Sequence, residues 1–142
     1  MQYPEVLDPD LVGSFDAVTN AGGGYVWDAV LEYRVWCQPE LAEPNEFDDM
    51  DYFHPFASYE EALAFSNSTV GAEPPLALIL QREYISEDEP GQYAHVKKAR
   101  ITEWPVEFLS RPRRTERTIP DFLASDAPVN RLDILRGLVG CL

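Results

Sequence analysis

Hydrophobic and polar residues alternate most clearly between Tyr25 and Cys37. Every second residue of this segment is apolar or aromatic, and the positions between them mix apolar residues with charged ones such as Arg34. A period of two residues is typical of a β-strand, because successive side chains point to opposite faces of a sheet. The pattern therefore predicts a strand over residues 25–37 with one apolar and one mixed face.

A second apolar segment runs from Leu76 to Ile85 and follows the pair Pro74-Pro75. Its first five residues are all apolar, so neither face of the predicted strand is polar. Strands of this kind are usually central in a sheet and covered on both sides. We therefore expect Leu76–Leu80 to lie in the core.

Two helices are predicted from local signals. Ser58 followed by Glu61 forms a capping box, in which the hydroxyl accepts a hydrogen bond from the amide three residues on. The helix that begins there should end between Asn67 and Gly71. A second, amphipathic helix is predicted over residues 128–139.

The remaining segments predict further strands and irregular chain. We predict a turn at residues 87–91. Further strands are predicted after it, over residues 93–104 and 106–109. The segment 111–120 is basic and contains two prolines without periodicity, so we expect it to be extended.

These elements together predict a single small α+β domain over residues 25–142. Its mainly antiparallel sheet should be packed by the capped helix and by the C-terminal helix. Residues 1–24 contain two prolines and end in Asn-Ala-Gly-Gly-Gly, which predicts a flexible N-terminal arm and hinge.

Charge is unevenly distributed along the 142 residues, which carry a formal net charge of −14. Residues 1–96 contain two basic and 19 acidic residues, 2 − 19 = −17, whereas residues 97–142 contain nine and six, 9 − 6 = +3. Such an acidic surface repels nucleic-acid phosphates and favours a basic protein partner. Two modes of binding are open: this chain binds an ordinary basic patch of the partner, or it occupies the partner's DNA-binding site as a DNA mimic. The basic residues of the second part also suggest a local anion site; they are Lys97, Lys98, Arg100, Arg111, Arg113, Arg114 and Arg117.

The sequence contains no segment that suggests a membrane or secretion. No apolar run approaches the roughly 20 residues that a membrane-spanning helix needs, and residues 1–5 lack the pattern of a signal peptide. Neither Cys37 nor Cys141 belongs to a Cys-x-x-Cys pair. We expect a cytoplasmic protein with reduced thiols, no membrane association and no direct binding of nucleic acid.

An acidic loop offers oxygen donors close together in sequence. Calcium or magnesium accepts such ligands, but the loop lacks the ligand order and central glycine of an EF-hand. We interpret it as a solvated loop and predict no metal site, with a divalent-cation site as the alternative. The residues concerned are Glu46, Asp48, Asp49, Asp51 and His54.

The order of motifs between residues 52 and 104 resembles the core of small ADP-ribosyltransferase-like domains. An aromatic segment, Tyr52 to Ser58, precedes a helix, an apolar strand follows, and Glu103 lies on a late strand. The resemblance implies that Arg34, Ser58 and Glu103 hold a nicotinamide dinucleotide (NAD) and polarise its ribose. In the alternative interpretation Ser58 caps a helix and Glu103 pairs with an arginine.

Short phrases along the whole chain, such as residues 33–37, 56–62, 100–109 and 132–137, resemble a small bacterial family whose members often carry the description of GNAT acetyltransferases. The chain has no Gln/Arg-x-x-Gly-x-Gly/Ala segment of the kind that holds acetyl-coenzyme A in that fold. The leading hypothesis is a small acidic protein-interaction module of unknown process without a cofactor. An ADP-ribosyltransferase-like transferase using NAD, or an acetyltransferase relative lacking a recognisable cofactor loop, is the alternative.

Overall fold

Six strands form two sheets in the computed structural model, which describes residues 3–15, 23–37 and 52–137. The strands are β1 (Ala29–Cys37), β2 (Tyr52–Phe56), β3 (Leu76–Gln81), β4 (Tyr84–Glu89), β5 (Gln92–Val96) and β6 (Arg100–Pro105). The first sheet is antiparallel with the order β2-β1-β3-β6, and β4 and β5 form a separate antiparallel hairpin. Three α-helices, α1 (Tyr59–Ser68), α2 (Thr118–Leu123) and α3 (Arg131–Leu135), complete the α+β fold that the sequence predicts.

The central position of β3 is confirmed. It pairs with β1 on one side and with β6 on the other, and the side chains of Ala77, Leu78 and Ile79 are fully buried. A strand with neighbours on both edges and cover on both faces has no polar face, which explains its continuous apolar sequence.

A β-bulge in β1 changes which side chains reach the core. Val30 pairs with Ile79 and Glu32 pairs with Leu78, so Leu31 is an extra residue in the ladder. The extra residue interrupts the strict alternation, and Val30 therefore belongs to the same core cluster as Tyr33. The strand also begins at residue 29, not at residue 25.

The first core lies on one face of the four-stranded sheet. Helix α1 covers it through Ala62, and a 3-10 helix at Val106–Ser110 adds Val106 and Leu109. The predicted start of α1 is confirmed, because the Glu61 amide donates to the Ser58 hydroxyl at 3.2 Å. Where the sequence predicts a strand at residues 106–109, the chain instead turns into this 3-10 helix after Pro105.

The N-terminal arm packs against the sheet in the part that the structure describes. Val6 is buried and forms a parallel bridge with Val30, and the Leu7 amide donates to the Val30 carbonyl at 2.8 Å. The hydroxyl of Tyr33 donates to the carbonyl of Pro4. Residues 3–15 are therefore held to β1 and not separated from the domain, while residues 16–22 lie outside the described part.

A second core joins the β4–β5 hairpin to α2 and α3. Its buried members are Val26, Ile85, Ile119, Phe122 and Leu135. The sequence analysis predicts an extended segment up to residue 120, but α2 begins at Thr118. Pro120 does not prevent this helix because it lies in the first turn, where backbone amides have no partner within a helix.

The other element boundaries also differ from the sequence prediction. The strands predicted at residues 76–85 and 93–104 are each divided in two by short irregular segments. Of the turn predicted at residues 87–91, only residues 90 and 91 form a turn in the structure, and Gly91 there has a φ of +82°. The C-terminal helix spans Arg131–Leu135, and Gly137 with a φ of +72° follows it, which is a common way to end a helix.

Within the described residues, none of the helices is long and apolar enough to cross a membrane. Cys37 is a buried free thiol at the end of β1, and Cys141 lies outside the described residues. The acidic loop that includes Glu46, Asp48, Asp49 and Asp51 lies outside them as well.

Truncation of Ile79 tests the assignment of the first core. We expect Ile79→Ala to lower the free energy of unfolding by about 2–5 kcal/mol, because it leaves a cavity at a fully buried position. Val70→Ala is the control, since 77% of the Val70 surface is exposed and the change should stay within about 0.5 kcal/mol. Urea denaturation measures both, and equal losses would contradict the assignment.

Candidate anion-binding pocket

The structure brings Arg34 and Glu103 together on the second face of the four-stranded sheet. Leu78 pairs with Glu32 on one side and with Glu103 on the other, so the two carboxylates lie on the same face. Arg34, two residues along β1, reaches both of them: its Nε is 2.6 Å from Glu32 and its Nη1 is 3.2 Å from Glu103. The face that the sequence predicts as mixed is therefore a buried ion network.

Each member of this network is bound by other protein groups. The backbone amide of Gly13 donates to Glu32 at 2.9 Å, and the Trp36 indole donates to Glu103 at 2.7 Å. The exposed side-chain fraction is 0% for Glu32 and Arg34 and 5% for Glu103. Buried charges need such partners, because an unpaired ion is strongly destabilised in a protein interior.

Ser58, the third residue of the predicted site, has a separate local role. Its hydroxyl accepts from the Glu61 amide and donates to the Glu61 carboxylate, both at 3.2 Å. Its contacts are thus those of a helix N-cap, and they correspond to the alternative interpretation of this residue.

A separate cavity of about 450 Å³ has lining residues from both cores, among them Phe108 of the first and Tyr84 of the second. Five separate segments of the chain line it, and three of them contribute a guanidinium group. We call this cavity, with Arg100, Arg111 and Arg136, the arginine pocket.

Arg100 is positioned by the buried side chain of Gln81. The Gln81 carbonyl oxygen accepts from Arg100 Nε at 2.7 Å, and its amide nitrogen donates to the carbonyls of Gly23 and Val26 at 2.9 and 2.8 Å. The guanidinium group also lies over the ring of Tyr84, with Cζ 3.9 Å from the ring centroid. One buried amide therefore fixes both the arginine and the neighbouring chain.

Gly23 and Gly24 form the wall opposite these side chains, and their lack of a Cβ is required there. A Cβ on Gly24 would lie 2.3 Å from Gln81 Nε2, and one on Gly23 would lie 2.8 Å from Arg100 Nη2. Gly24 also has a φ of +92°, which favours glycine. These two glycines, which the sequence suggests as part of a hinge, permit a close approach of the backbone to the pocket.

Arg111 enters the pocket from the segment after the 3-10 helix. Its guanidinium lies over the rings of Phe108 and Trp104, at 4.2 and 5.0 Å from their centroids, and makes a long 3.4 Å contact with the Tyr25 carbonyl. Burial, and then the neighbouring cation Arg136, lower the pKa of Arg111 from its usual value. The site therefore holds two cations that repel each other.

Arg136 follows α3 and has the least satisfied side chain of the three. Its Nε is buried and has no hydrogen-bond partner within the described part of the chain. Its Cζ lies 5.9 Å from the centroid of the Tyr25 ring. A buried N–H group without a protein acceptor is uncommon in folded proteins, and such a group is a donor for a ligand.

Tyr25 and Glu87 occupy the rim of the pocket. The Tyr25 hydroxyl donates to the Glu87 carboxylate; burial, followed by this carboxylate, raises the pKa of Tyr25 to about 12. The hydrogen bond from Tyr25, followed by one from the Gly91 amide, lowers the pKa of Glu87. The phenol is therefore protonated and the carboxylate ionised at neutral pH.

Among the arginines of the described chain, some form ion pairs with carboxylates and others, including Arg82, Arg113 and Arg131 outside the pocket, form none. Arg34, Arg114 and Arg117 all form ion pairs, whereas Arg100, Arg111 and Arg136 form none with the residues that the structure describes. Three cations that line one cavity, in which Glu87 is the one carboxylate of the described lining, form a local positive site in a chain with a net charge of −14.

The sequence identifies this site only in part. Its basic run contains Arg100 and Arg111 but also residues that lie elsewhere, such as Arg114, which is paired with Asp28 and Glu83. Arg136 is missed, because no local spacing connects it with positions that lie 25 or more residues away. Convergence of distant segments is a property of the tertiary structure.

Comparisons of the chain with protein-family models, with curated proteins and with solved structures give no match. The resemblances to ADP-ribosyltransferase-like domains and to the GNAT-described family stay predictions. Among residues 3–15, 23–37 and 52–137, no group of three or more His, Cys, Asp or Glu side chains is placed to hold a metal ion.

Replacement of Arg34 tests the buried network. We expect Arg34→Met to lower the free energy of unfolding by about 3–5 kcal/mol, because Glu32 and Glu103 would lose their shared cation in the interior. Arg117→Met is the matched control, since its i,i+4 pair with Asp121 is exposed and contributes about 0.5 kcal/mol or less. Similar losses for the two variants in urea denaturation would show that the network is not buried as described.

A comparison of Gly24 with Gly91 separates the effect of close packing on stability from the effect of backbone strain. Both have positive φ, but a Cβ on Gly91 would meet nothing within 4 Å. We expect Gly24→Ala to be more destabilising than Gly91→Ala by at least about 1 kcal/mol, because of the overlap with Gln81 and Arg100. Thermal denaturation of both variants measures the difference, and equal effects would contradict the tight packing at this wall.

Proposed function

We propose that this protein is a non-enzymatic interaction module that binds an anionic group of a protein partner in the arginine pocket. The observation that carries the proposal is the convergence of Arg100, Arg111 and Arg136 on one cavity, where Glu87 is the one carboxylate of the described lining and forms no ion pair with them. Guanidinium groups are well suited to this task, since their planar N–H groups match carboxylate and phosphate oxygens.

The charge of the whole chain limits the kind of partner. A body with a net charge of −14 attracts proteins with basic surfaces and repels polyanions such as nucleic acids. The pocket, in contrast, accepts an anion. The partner is therefore a protein with a basic surface that presents one anionic group to the pocket.

A catalytic function at Arg34, Ser58 and Glu103 has less support. Arg34 and Glu103 are buried and bonded to each other, and the Ser58 hydroxyl is bonded to Glu61. Binding of NAD there requires these side chains to leave their present partners. The ADP-ribosyltransferase-like alternative is therefore the weaker proposal.

Binding of sulfate provides the first test. We expect the Nε–Hε resonances of Arg111 and Arg136 to shift saturably when the protein is titrated with sodium sulfate, at an ionic strength matched with sodium chloride. The resonance of Arg117, whose side chain is 80% exposed and paired with Asp121, is the internal control and should not saturate. Uniform, unsaturated shifts of all arginines would indicate screening alone and would contradict the proposal.

A variant separates binding from stability. Because Arg136 has a buried N–H group without an acceptor, Arg136→Gln should leave the melting temperature in anion-free buffer unchanged or raise it, while removing the stabilisation by sulfate. Arg113→Gln, in the same basic region but stacked on Trp27, is the control and should keep the sulfate effect.

The same two variants test the protein-binding role by capture of partners from lysate. A partner retained by Arg113→Gln but not by Arg136→Gln supports this role, and equal capture by both variants contradicts it.

A further inference from the structure

We infer that the anionic group bound by the arginine pocket is the dianionic phosphate of a phosphate monoester; this inference rests on the proposed function. The ionised groups that line the pocket are three guanidinium cations and the carboxylate of Glu87, which gives 3 − 1 = +2. A carboxylate ligand would neutralise half of this charge, whereas a phosphate monoester carries about −1.5 to −2 near pH 7. The charge of the site thus matches a dianion.

The hydrogen-bond donors of the pocket lead to the same ligand. Arg136 Nε has no acceptor, and the contact of Arg111 Nη1 with the Tyr25 carbonyl is long, at 3.4 Å. Guanidinium groups that reach one cavity from three separate segments of the chain favour a ligand that accepts several hydrogen bonds at once. The three terminal oxygens of a phosphate monoester point in different directions, whereas the two oxygens of a carboxylate lie in one plane.

The size and walls of the pocket indicate what carries the phosphate. A volume of about 450 Å³ is many times the roughly 30 Å³ that one water molecule occupies in the liquid, so a phosphate alone would leave most of it empty. The rings of Tyr25, Tyr84 and Phe108 and the side chain of Ile85 belong to the lining, and the flat guanidinium groups of Arg100 and Arg111 lie over two of these rings. A flat, apolar group next to the phosphate therefore fits the pocket better than inorganic phosphate does.

Phenyl phosphate is the direct probe. We expect isothermal titration calorimetry at constant ionic strength to give at least tenfold tighter binding for phenyl phosphate than for benzoate or for methyl phenyl phosphate. The first control has a carboxylate on the same ring, and the second is a diester with a single negative charge. Inorganic phosphate, which lacks the ring, should also bind more weakly.

The pH dependence distinguishes the dianion from the monoanion. The second pKa of a phosphate monoester lies near 6, so the affinity for phenyl phosphate should fall by up to about tenfold per pH unit below 6. The groups that face the ligand are Tyr25 and Glu87 on the rim, Tyr84 on β4 and the three arginines. Tyr25 is protonated up to about pH 12 and the pKa of Glu87 is lowered, so neither produces this step. The diester should show no step.

Two sources of a phosphate monoester are distinguished by further ligands. A basic peptide that contains phosphotyrosine is compared with the same peptide containing glutamate, and both are compared with adenosine monophosphate. Tight binding of the phosphopeptide alone supports the inference together with the protein-binding role. Tight binding of the nucleotide alone supports the phosphate inference but contradicts a protein partner.

The outcomes also separate the two proposals when they fail. If benzoate binds as tightly as phenyl phosphate and no pH step is seen, the phosphate inference is wrong while the anion-binding function stands. The affinity for phenyl phosphate is compared among the unmodified chain, Arg136→Gln and the control Arg113→Gln. If all three bind equally tightly, the ligand does not use the pocket and both proposals are wrong. Absence of any binding also contradicts both.

Discussion

The buried side-chain amide of Gln81 connects the two halves of the molecule. It lies at the end of β3 in the first sheet and donates to Val26, which belongs to the second core, and to Gly23. Its oxygen accepts from Arg100. A buried amide that loses its partners is destabilised by about 1–3 kcal/mol, so the native position of Gln81 favours all three contacts. The glycine wall of the pocket and one of its cations therefore depend on a single side chain, which is completely removed from solvent.

The protein uses arginine in two opposite ways. Arg34 is fully buried and bound to Glu32 and Glu103, so its charge is compensated inside the fold. In the arginine pocket the guanidinium groups of Arg100 and Arg111 lie instead against aromatic rings, at 3.9–5.0 Å from the ring centroids. A cation–π contact stabilises the cation without forming the hydrogen bonds of an ion pair. The first arrangement holds strands together, while the second leaves donors available to a ligand.

Elements with local signals could be predicted from the sequence. The start of α1 depends on Ser58 and Glu61, three residues apart, and the central position of β3 depends on five consecutive apolar residues. The burial of Arg34 could not be predicted, because strand alternation does not show whether a mixed face is covered and the cover includes Gly13 and Phe15 from the N-terminal segment. Only Arg100 and Arg111 of the pocket belong to the anion site that the sequence suggests, because the lining extends from residue 23 to residue 136 and no local pattern connects these segments.

The contrast between the acidic body and the positive pocket acts at two distances. At physiological salt, exposed charges are screened beyond about 8 Å, so the proposed partner would meet the local acidic surface as it approaches, and this surface favours a basic protein. In the proposed complex the pocket receives an anion, which a purely basic surface does not provide. A polyanion would provide the anion for the pocket, but the acidic surface would repel it. Specificity is a difference between the affinities for the partner and for its competitors. A ligand that must suit both the acidic surface and the positive pocket has fewer competitors than a ligand that must suit only one of them. Under the proposed function, this division accounts for three arginines around one cavity whose charge the single lining carboxylate, Glu87, neutralises only in part.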